Sequence, residues 1–318
     1  MSNFDLITHY IIKTNNPGGG IEDFAEMYRR SPVFNAYWED KRANISKIQV
    51  PVFISGSDFS SIHTMGSTPK VRWLALQFGD REAINDNAFA DFPIPGTDYR
   101  DFFLSQDGLK EQAATADAVV SYDSTSTTSI AEFSYTFPQR SRLSGLPKAV
   151  LYMSCKDQND MNTYIILRKR DKNSKLLFHL CFPFAAVPTG IKSIDKIPEK
   201  DRQSLNLHPG SFGVLRASHR RFIPEKSIHP QFPFHPHEIE EKIEPGEVVK
   251  LEIVIWSMGV DFDEGETISM QVGGSFPGIA EYSAFSKTLP EEEKNKGEHR
   301  IHIGPSTPSK IILPFVPL

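Results

Sequence analysis

The segment Gly273-Gly274-Ser275-Phe276-Pro277-Gly278 carries the Gly-x-Ser-x-x-Gly spacing of a nucleophile elbow, the sharp turn that lifts a serine hydroxyl above a sheet. An elbow needs a helix directly after it, because the amides at the helix start help to hold the oxyanion of an acyl-transfer intermediate. Pro277, Gly278 and the stretch from Ile279 to Ser286 show no helical periodicity. The segment therefore reads as a structural turn. His299 and His302, on either side of Arg300 and Ile301, could serve Ser275 as a base, but their surroundings read as the edge of a sheet.

A second group of residues is richer in ligand atoms. His229, His235 and His237 stand close to Glu238 and Glu240, and extended alternation would put His235 and His237 on one side of the chain. A metal site needs at least a third ligand held rigidly. Pro230, Pro233 and Pro236 stiffen an irregular segment instead, so a loop without a metal is expected. Cys155 and Cys181 are too few for a disulfide framework or a four-thiolate site. Both lie in apolar stretches and read as buried free thiols, which suits a reducing, cytoplasmic setting. No pattern calls for a cofactor.

Asp58 has the most telling placement. The run Ile48-Gln49-Val50-Pro51-Val52-Phe53-Ile54 reads as a parallel strand buried on both faces, and Ser55-Gly56-Ser57 ends it with turn chemistry. Asp58 thus falls just past the carboxyl end of a strand, where α/β sheets place their chemistry. It could equally cap a helix starting at Phe59. Upstream, Ile21, Phe24, Met27 and Tyr28 share one helical face over Ile21–Arg30, with Pro32 as the stop.

From about Thr68 the texture changes to short apolar or alternating segments between Pro, Gly, Asn and Asp clusters, which predicts antiparallel β structure. The strand candidates are Val71–Phe78, Phe102–Leu104, Ala131–Phe137, Ala149–Met153, Thr163–Arg168, Lys175–Phe182, Val248–Trp256, Thr267–Val272 and Ile311–Phe315. Thr163–Arg168 and Lys175–Phe182 flank a turn rich in Asp and Asn and should form a hairpin, with the basic run Lys169 to Lys172 as solvated surface. Val248–Trp256 is apolar on both faces and is expected in the middle of a sandwich. Leu289–Arg300 reads as an exposed loop.

Charge and hydropathy exclude whole classes of function. With 35 Lys and Arg against 40 Asp and Glu the net charge is −5, and no basic stripe is available to neutralise phosphates, so nucleic acid is not an expected partner. No apolar run approaches the roughly 20 residues that span a bilayer. Met1 to Lys13 lacks the pattern of an export signal. A soluble chain away from membranes is expected.

Several separated motifs carry a family resemblance. Tyr37-Trp38 followed by Ile45–Ile48 and Val50-Pro51-Val52-Phe53-Ile54-Ser55-Gly56-Ser57-Asp58 resembles the late α/β-hydrolase segment of the X-Pro dipeptidyl-peptidase and cocaine-esterase family of serine hydrolases. Thr68–Trp73, Phe92–Thr97, Phe103–Gly108, Leu215–Arg220 and Pro245-Gly246-Glu247 resemble the same family's C-terminal, non-catalytic jelly-roll domain, a galactose-binding-like β-sandwich. The resemblance implies a mainly β chain in two units, a truncated α/β-hydrolase remnant over 1–67 and the jelly-roll sandwich over 68–318. It places Asp58 on the triad acid and implies peptide or ester substrates for the full-length family. Two departures bear on mechanism. The family's Gly-x-Ser-Tyr-x-Gly elbow has no counterpart, and Met65-Gly66-Ser67 runs straight into Thr68, leaving no room for the further helix and strand that lead to the triad histidine, since a βαβ unit takes roughly 30 residues or more. His63 is five residues from Asp58 and does not occupy that position. The expectation is a chain inactive by itself, the alternative being a binding or assembly module that could form a homo-oligomer. Residues 1–67 should be either poorly ordered or docked on the sandwich through Phe24, Tyr37, Trp38 and Phe53.

Overall fold

The computed structural model describes Met27 and residues 29–42, 47, 71–180, 192–198, 207–275 and 295–318. In chain order the strands are β1 (Val71–Ala75), β2 (Ile84–Phe89), β3 (Asp98–Ser105), β4 (Gly108–Lys110), β5 (Ala118–Asp123), β6 (Ile130–Thr136), β7 (Ser141–Gly145), β8 (Lys148–Cys155) and β9 (Asn162–Arg170). They continue with β10 (Leu176–Leu177), β11 (His179–Leu180), β12 (Leu207–His208), β13 (Phe212–Arg216), β14 (Val249–Val254), β15 (Met258–Phe262), β16 (Thr267–Gly273), β17 (Glu298–Ile303) and β18 (Lys310–Val316). One short helix, α1 (Ala36–Asp40), precedes them, its first turn capped by Asn35, whose side chain accepts from Tyr37 N.

Two antiparallel sheets make a sandwich. In the first, three long strands are each broken in the middle and lie side by side: β7 with β8, β14 with β15, and β17 with β18. An outer row of β3 and β5 pairs with β18 and β17. The second sheet runs β6, β16 and β9, with β13 and β10 both on the far side of β9. From β5 onward the chain keeps crossing between the sheets.

Period-two alternation explains the packing. Phe102 and Leu104 of β3, Leu251 and Ile253 of β14 and Ile301 and Ile303 of β17 point inward from one sheet. They meet Phe133, Ile165, Leu167, Met270 and Val272 of the other in one continuous core. Phe137 stacks on Phe262 with ring centroids 4.5 Å apart.

Several expectations are corrected. Thr163–Arg168 and Lys175–Phe182 do meet, but only Leu176 and Leu177 pair with β9 before the chain turns away into β11, which pairs with β12. The basic run is not all solvated: β9 extends through Arg170, and Lys169 falls on its inward face at 1% exposure. β14 pairs on one side only, so Val248–Trp256 is a border strand rather than a central one, with Val248 and Trp256 exposed. The central strand is β8, where seven of eight residues are buried. The stretch from Glu298 to Arg300, read as loop, begins β17.

Lys169 shows what closes one end of the sandwich. Its Nζ donates to Asp261 O at 2.6 Å and Gln77 O at 2.9 Å, and lies 2.7 Å from Glu266 Oε2. Burial pushes the ammonium below its ordinary value, and Glu266 opposes that. Arg81 bonds both Asp263 (2.7 Å) and Glu266 (3.0 Å), while Arg142 grips Asp261 at 2.5 and 2.8 Å. The cluster ties β9 to β15, to the start of β16 and to the segment after β1. Removing Lys169 leaves buried Glu266 with only Arg81 and the Asp263 amide and strips the Asp261 and Gln77 carbonyls of their donor. Lys169→Met should therefore cost about 3–5 kcal/mol, seen as a lower urea midpoint with an unchanged slope, and Lys169→Met/Glu266→Gln should recover part of that loss.

The described part of the N-terminal region touches the sandwich. Phe34 N donates to His237 O at 2.8 Å, and Ser31 N bonds Met27 O at 3.0 Å, closing the helical turn just before Pro32. Trp38 Nε1 donates to Ser31 O, and no residue of α1 is buried. Contact through Phe34 was not foreseen. Phe24, Phe53, the Ile48–Ile54 run and most of the 21–30 helix lie outside the described residues.

Candidate functional site

Ser275 sits just past the end of β16 and is buried. The preceding Gly274 is required there by space, since a Cβ would lie 2.3 Å from Ser124 O. Asn295 holds the same turn, its Nδ2 donating to Gly274 O and Asn162 O while its Oδ1 accepts from Asn162 N. The supposed bases are engaged elsewhere. β17 lies between β8 and β5, so His299 and His302 belong to an interior strand and not to a sheet edge. His299 faces the core with Nδ1 3.1 Å from Tyr122 Oη, and burial pulls its imidazole down to about 4. His302 Nε2 lies 2.8 Å from Ser154 Oγ. Among the described residues no hydrogen bond joins Ser275 to either histidine.

The Pro-rich histidine segment gathers around a residue that sequence reasoning missed, His219. His219 Nδ1 and His237 Nδ1 are 3.1 Å apart, and the His235 ring centroid is 5.9 Å from that of His237. His235 bridges two carbonyls, Nδ1 at 3.0 Å from Arg221 O and Nε2 at 3.0 Å from Glu252 O. His229 stands apart against Tyr99. Glu240 reaches His219 (3.7 Å) and Lys242 (3.1 Å), and Glu238 is exposed. Below them Asp160 accepts from Met161 N, Ser218 N, Ser218 Oγ, Arg216 and Lys242. Burial alone would raise its carboxyl, but the Lys242, Ser218 and Arg216 bonds hold it down to about 2. Among the described residues no three His, Cys, Asp or Glu side chains gather in a way that could hold a metal ion. These nitrogens and oxygens pin a loop onto the sandwich.

A further pair was invisible in the sequence because its strands are two residues long. His179 of β11 lies directly opposite His208 of β12, and both rings pack near Phe78, with centroids 5.8 and 6.0 Å away. Burial is the main cause that draws His179 down to about 4, helped by Lys169, and His208 down to about 3, helped by His179 and Arg168. In the unfolded chain both would titrate near ~6.5. The unfolded state therefore binds more protons below that pH, and stability is lost as pH falls from about 6.5 toward 4. Urea midpoints measured across this window should drop, and His179→Gln/His208→Gln should flatten the dependence.

Cys155 is a buried free thiol whose Sγ lies 3.6 Å from Lys296 O, and burial pushes its ionisation up. Asp58, His63 and Cys181 lie outside the described residues.

Buried polar groups hold the turns and sheet ends of this sandwich, and its contact between Ser154 and His302 lies between the paired strands β8 and β17, with Ser154 only 2% exposed. Residues 63–312 match the X-Pro dipeptidyl-peptidase C-terminal non-catalytic domain. The chain belongs to that family. In shape it is similar to a CocE/NonD family hydrolase from Staphylococcus aureus in two crystal structures, with TM-scores of 0.80 and 0.81 at 22% and 23% identity. These alignments take in 99% and 100% of this chain but 63% of the hydrolase in each case. No curated protein matches. Among the described residues no helix is long and apolar enough to cross a membrane.

Proposed function

We propose that this chain is the non-catalytic sandwich of a serine hydrolase joined to a remnant of the hydrolase's α/β domain, with the boundary near residue 67, and that it has no hydrolytic activity by itself. The observation that carries this reading is the pairing of a family match over 63–312 with alignments that leave over a third of the similar hydrolase without a counterpart here. Asp58 is the triad acid in this account. A triad aspartate orients and stabilises an imidazolium, and without serine and histidine it has nothing to act on. In the complete protein the reaction would be acyl transfer from an X-Pro peptide or an ester through a serine acyl-enzyme. The sandwich there would be a galactose-binding-like module that braces the catalytic domain. The buried free thiol of Cys155 fits a reducing, cytoplasmic setting.

The test is an assay of the purified chain on chromogenic X-Pro dipeptides and short-chain esters. No turnover above buffer is expected from the chain or from its Asp58→Asn variant. Turnover by the chain that is abolished in Asp58→Asn would overturn the proposal.

A further inference from the structure

Beside the sandwich, the described residues form a second and much smaller core. Leu180, Ile194, Ile197 and Leu207 are buried against one another with Phe178 packed at their side, and none of them belongs to the main core. The backbone of this lobe is thin: β11 and β12 pair through two residues each, and Ile194–Lys196 makes a single 3-10 turn. A unit with so few apolar contacts opens at lower free energy than the sandwich it rests on. Its joint to the sandwich is short. Gly79 N donates to Phe178 O and Ile194 N donates to Asp80 Oδ1, both at 2.8 Å, while Lys175 pairs with Asp195.

At that joint Phe78 holds a left-handed backbone, with φ at 60°, which a bulky residue keeps only when its surroundings impose it. Its buried ring packs against both His179 and His208, which face each other across the ribbon. His208 Nδ1 is buried and makes no hydrogen bond among the described residues. The charged groups that β9 brings to these rings oppose a further positive charge: Lys169 acts on His179 and Arg168 on His208, both cations being 1% exposed. The acids of the joint are engaged, Asp80 with Ile194 N and Asp195 with Lys175, and Glu266 is held by Lys169 and Arg81. A proton on either imidazole therefore meets a buried cation in a closed, apolar setting.

We propose that the β11–β12 lobe is a flap released by acid: protons taken up by His179 and His208 lift it from Phe78 while the sandwich stays folded. With the flap open both imidazoles reach water and titrate near ~6.5. With it closed they stay neutral at that pH, because burial and the neighbouring cations resist the charge. The open form thus binds up to two more protons, and its share grows as pH falls below about 6.5, by up to about 100-fold per pH unit. Lifting also frees Phe78 to leave its left-handed conformation and bares its ring. The separate small core lets this happen locally, ahead of the loss of the main one.

Native-state hydrogen exchange of the full chain, read residue by residue and corrected for intrinsic rates, tests the proposal. The ribbon amides of His179, Leu180, Leu207 and His208 report the flap, and those of Ala149 to Met153 on β8 report global unfolding. As pH falls from about 6.0 to about 4.5 the opening constant of the ribbon should rise by close to 100-fold per unit while β8 stays protected. His208→Gln should reduce that rise to about 10-fold per unit, and His179→Gln/His208→Gln should hold it within about threefold over the whole range. Should the double variant misfold by circular dichroism, the two single variants, each expected at about 10-fold per unit, carry the comparison. Ribbon amides that exchange no faster than β8 at every pH, or an acid opening that keeps its full steepness in the folded histidine variants, would overturn the proposal.

Discussion

The buried ammonium of Lys169 constrains more of this molecule than any single apolar contact. A charge at 1% exposure is tolerable only with its partners in place, and those partners come from three directions: Glu266 at the mouth of β16, Asp261 O on β15 and Gln77 O after β1. The two sheets must therefore close at this end in one register. Leu76, which pairs with Val260 through Gly259 O and Asp261 N, carries the N-terminal part of the chain into the same knot.

At the opposite end, beside the ionic cluster of Asp160 with Arg216 and Lys242, neutral groups hold the turns. Asn295 bonds both backbone groups of Asn162 and the Gly274 carbonyl, and Ser124 bonds Gly297 O through its amide and its hydroxyl. The contrast in chemistry separates two roles for buried polarity. At the ionic end, specificity comes from charge pairs that are costly when broken. Among the neutral groups, satisfied hydrogen bonds hold turns in place at lower stakes. Gly274 and Ser275 lie at this second end, where Gly274 is required by the close approach of the Ser124 backbone.

Period-two patterning made much of the sandwich legible: Ala131–Phe137, Ala149–Met153, Thr267–Val272 and Ile311–Phe315 all sit within or close to observed strands. Failures occurred where polar residues occupy inward or covered positions. Glu298-His299-Arg300-Ile301-His302-Ile303 hides three inward residues behind charged neighbours, and missing β5 made β17 look like a border. Lys169 looks like surface because charge normally marks solvent, yet it continues the inward face of β9. Val248–Trp256 looks central because both faces are apolar, whereas β14 pairs with β8 alone and its outer side meets His235 and, near Trp256, β13. The histidine cluster was half visible: His235 and His237 are close in sequence, while His219 arrives from the turn after β13. The family resemblance rested on motifs spread along the chain, and the match over 63–312 bears it out for the sandwich.

The central proposal is that this chain has no hydrolytic activity by itself, which requires that no serine in it be activated. The most direct measurement is intact-mass spectrometry of the folded protein after exposure to a fluorophosphonate, which labels serines made nucleophilic by a base. The account predicts an unchanged mass after prolonged incubation. A stoichiometric adduct, on Ser275 or any other serine, that disappears on unfolding before treatment would contradict it.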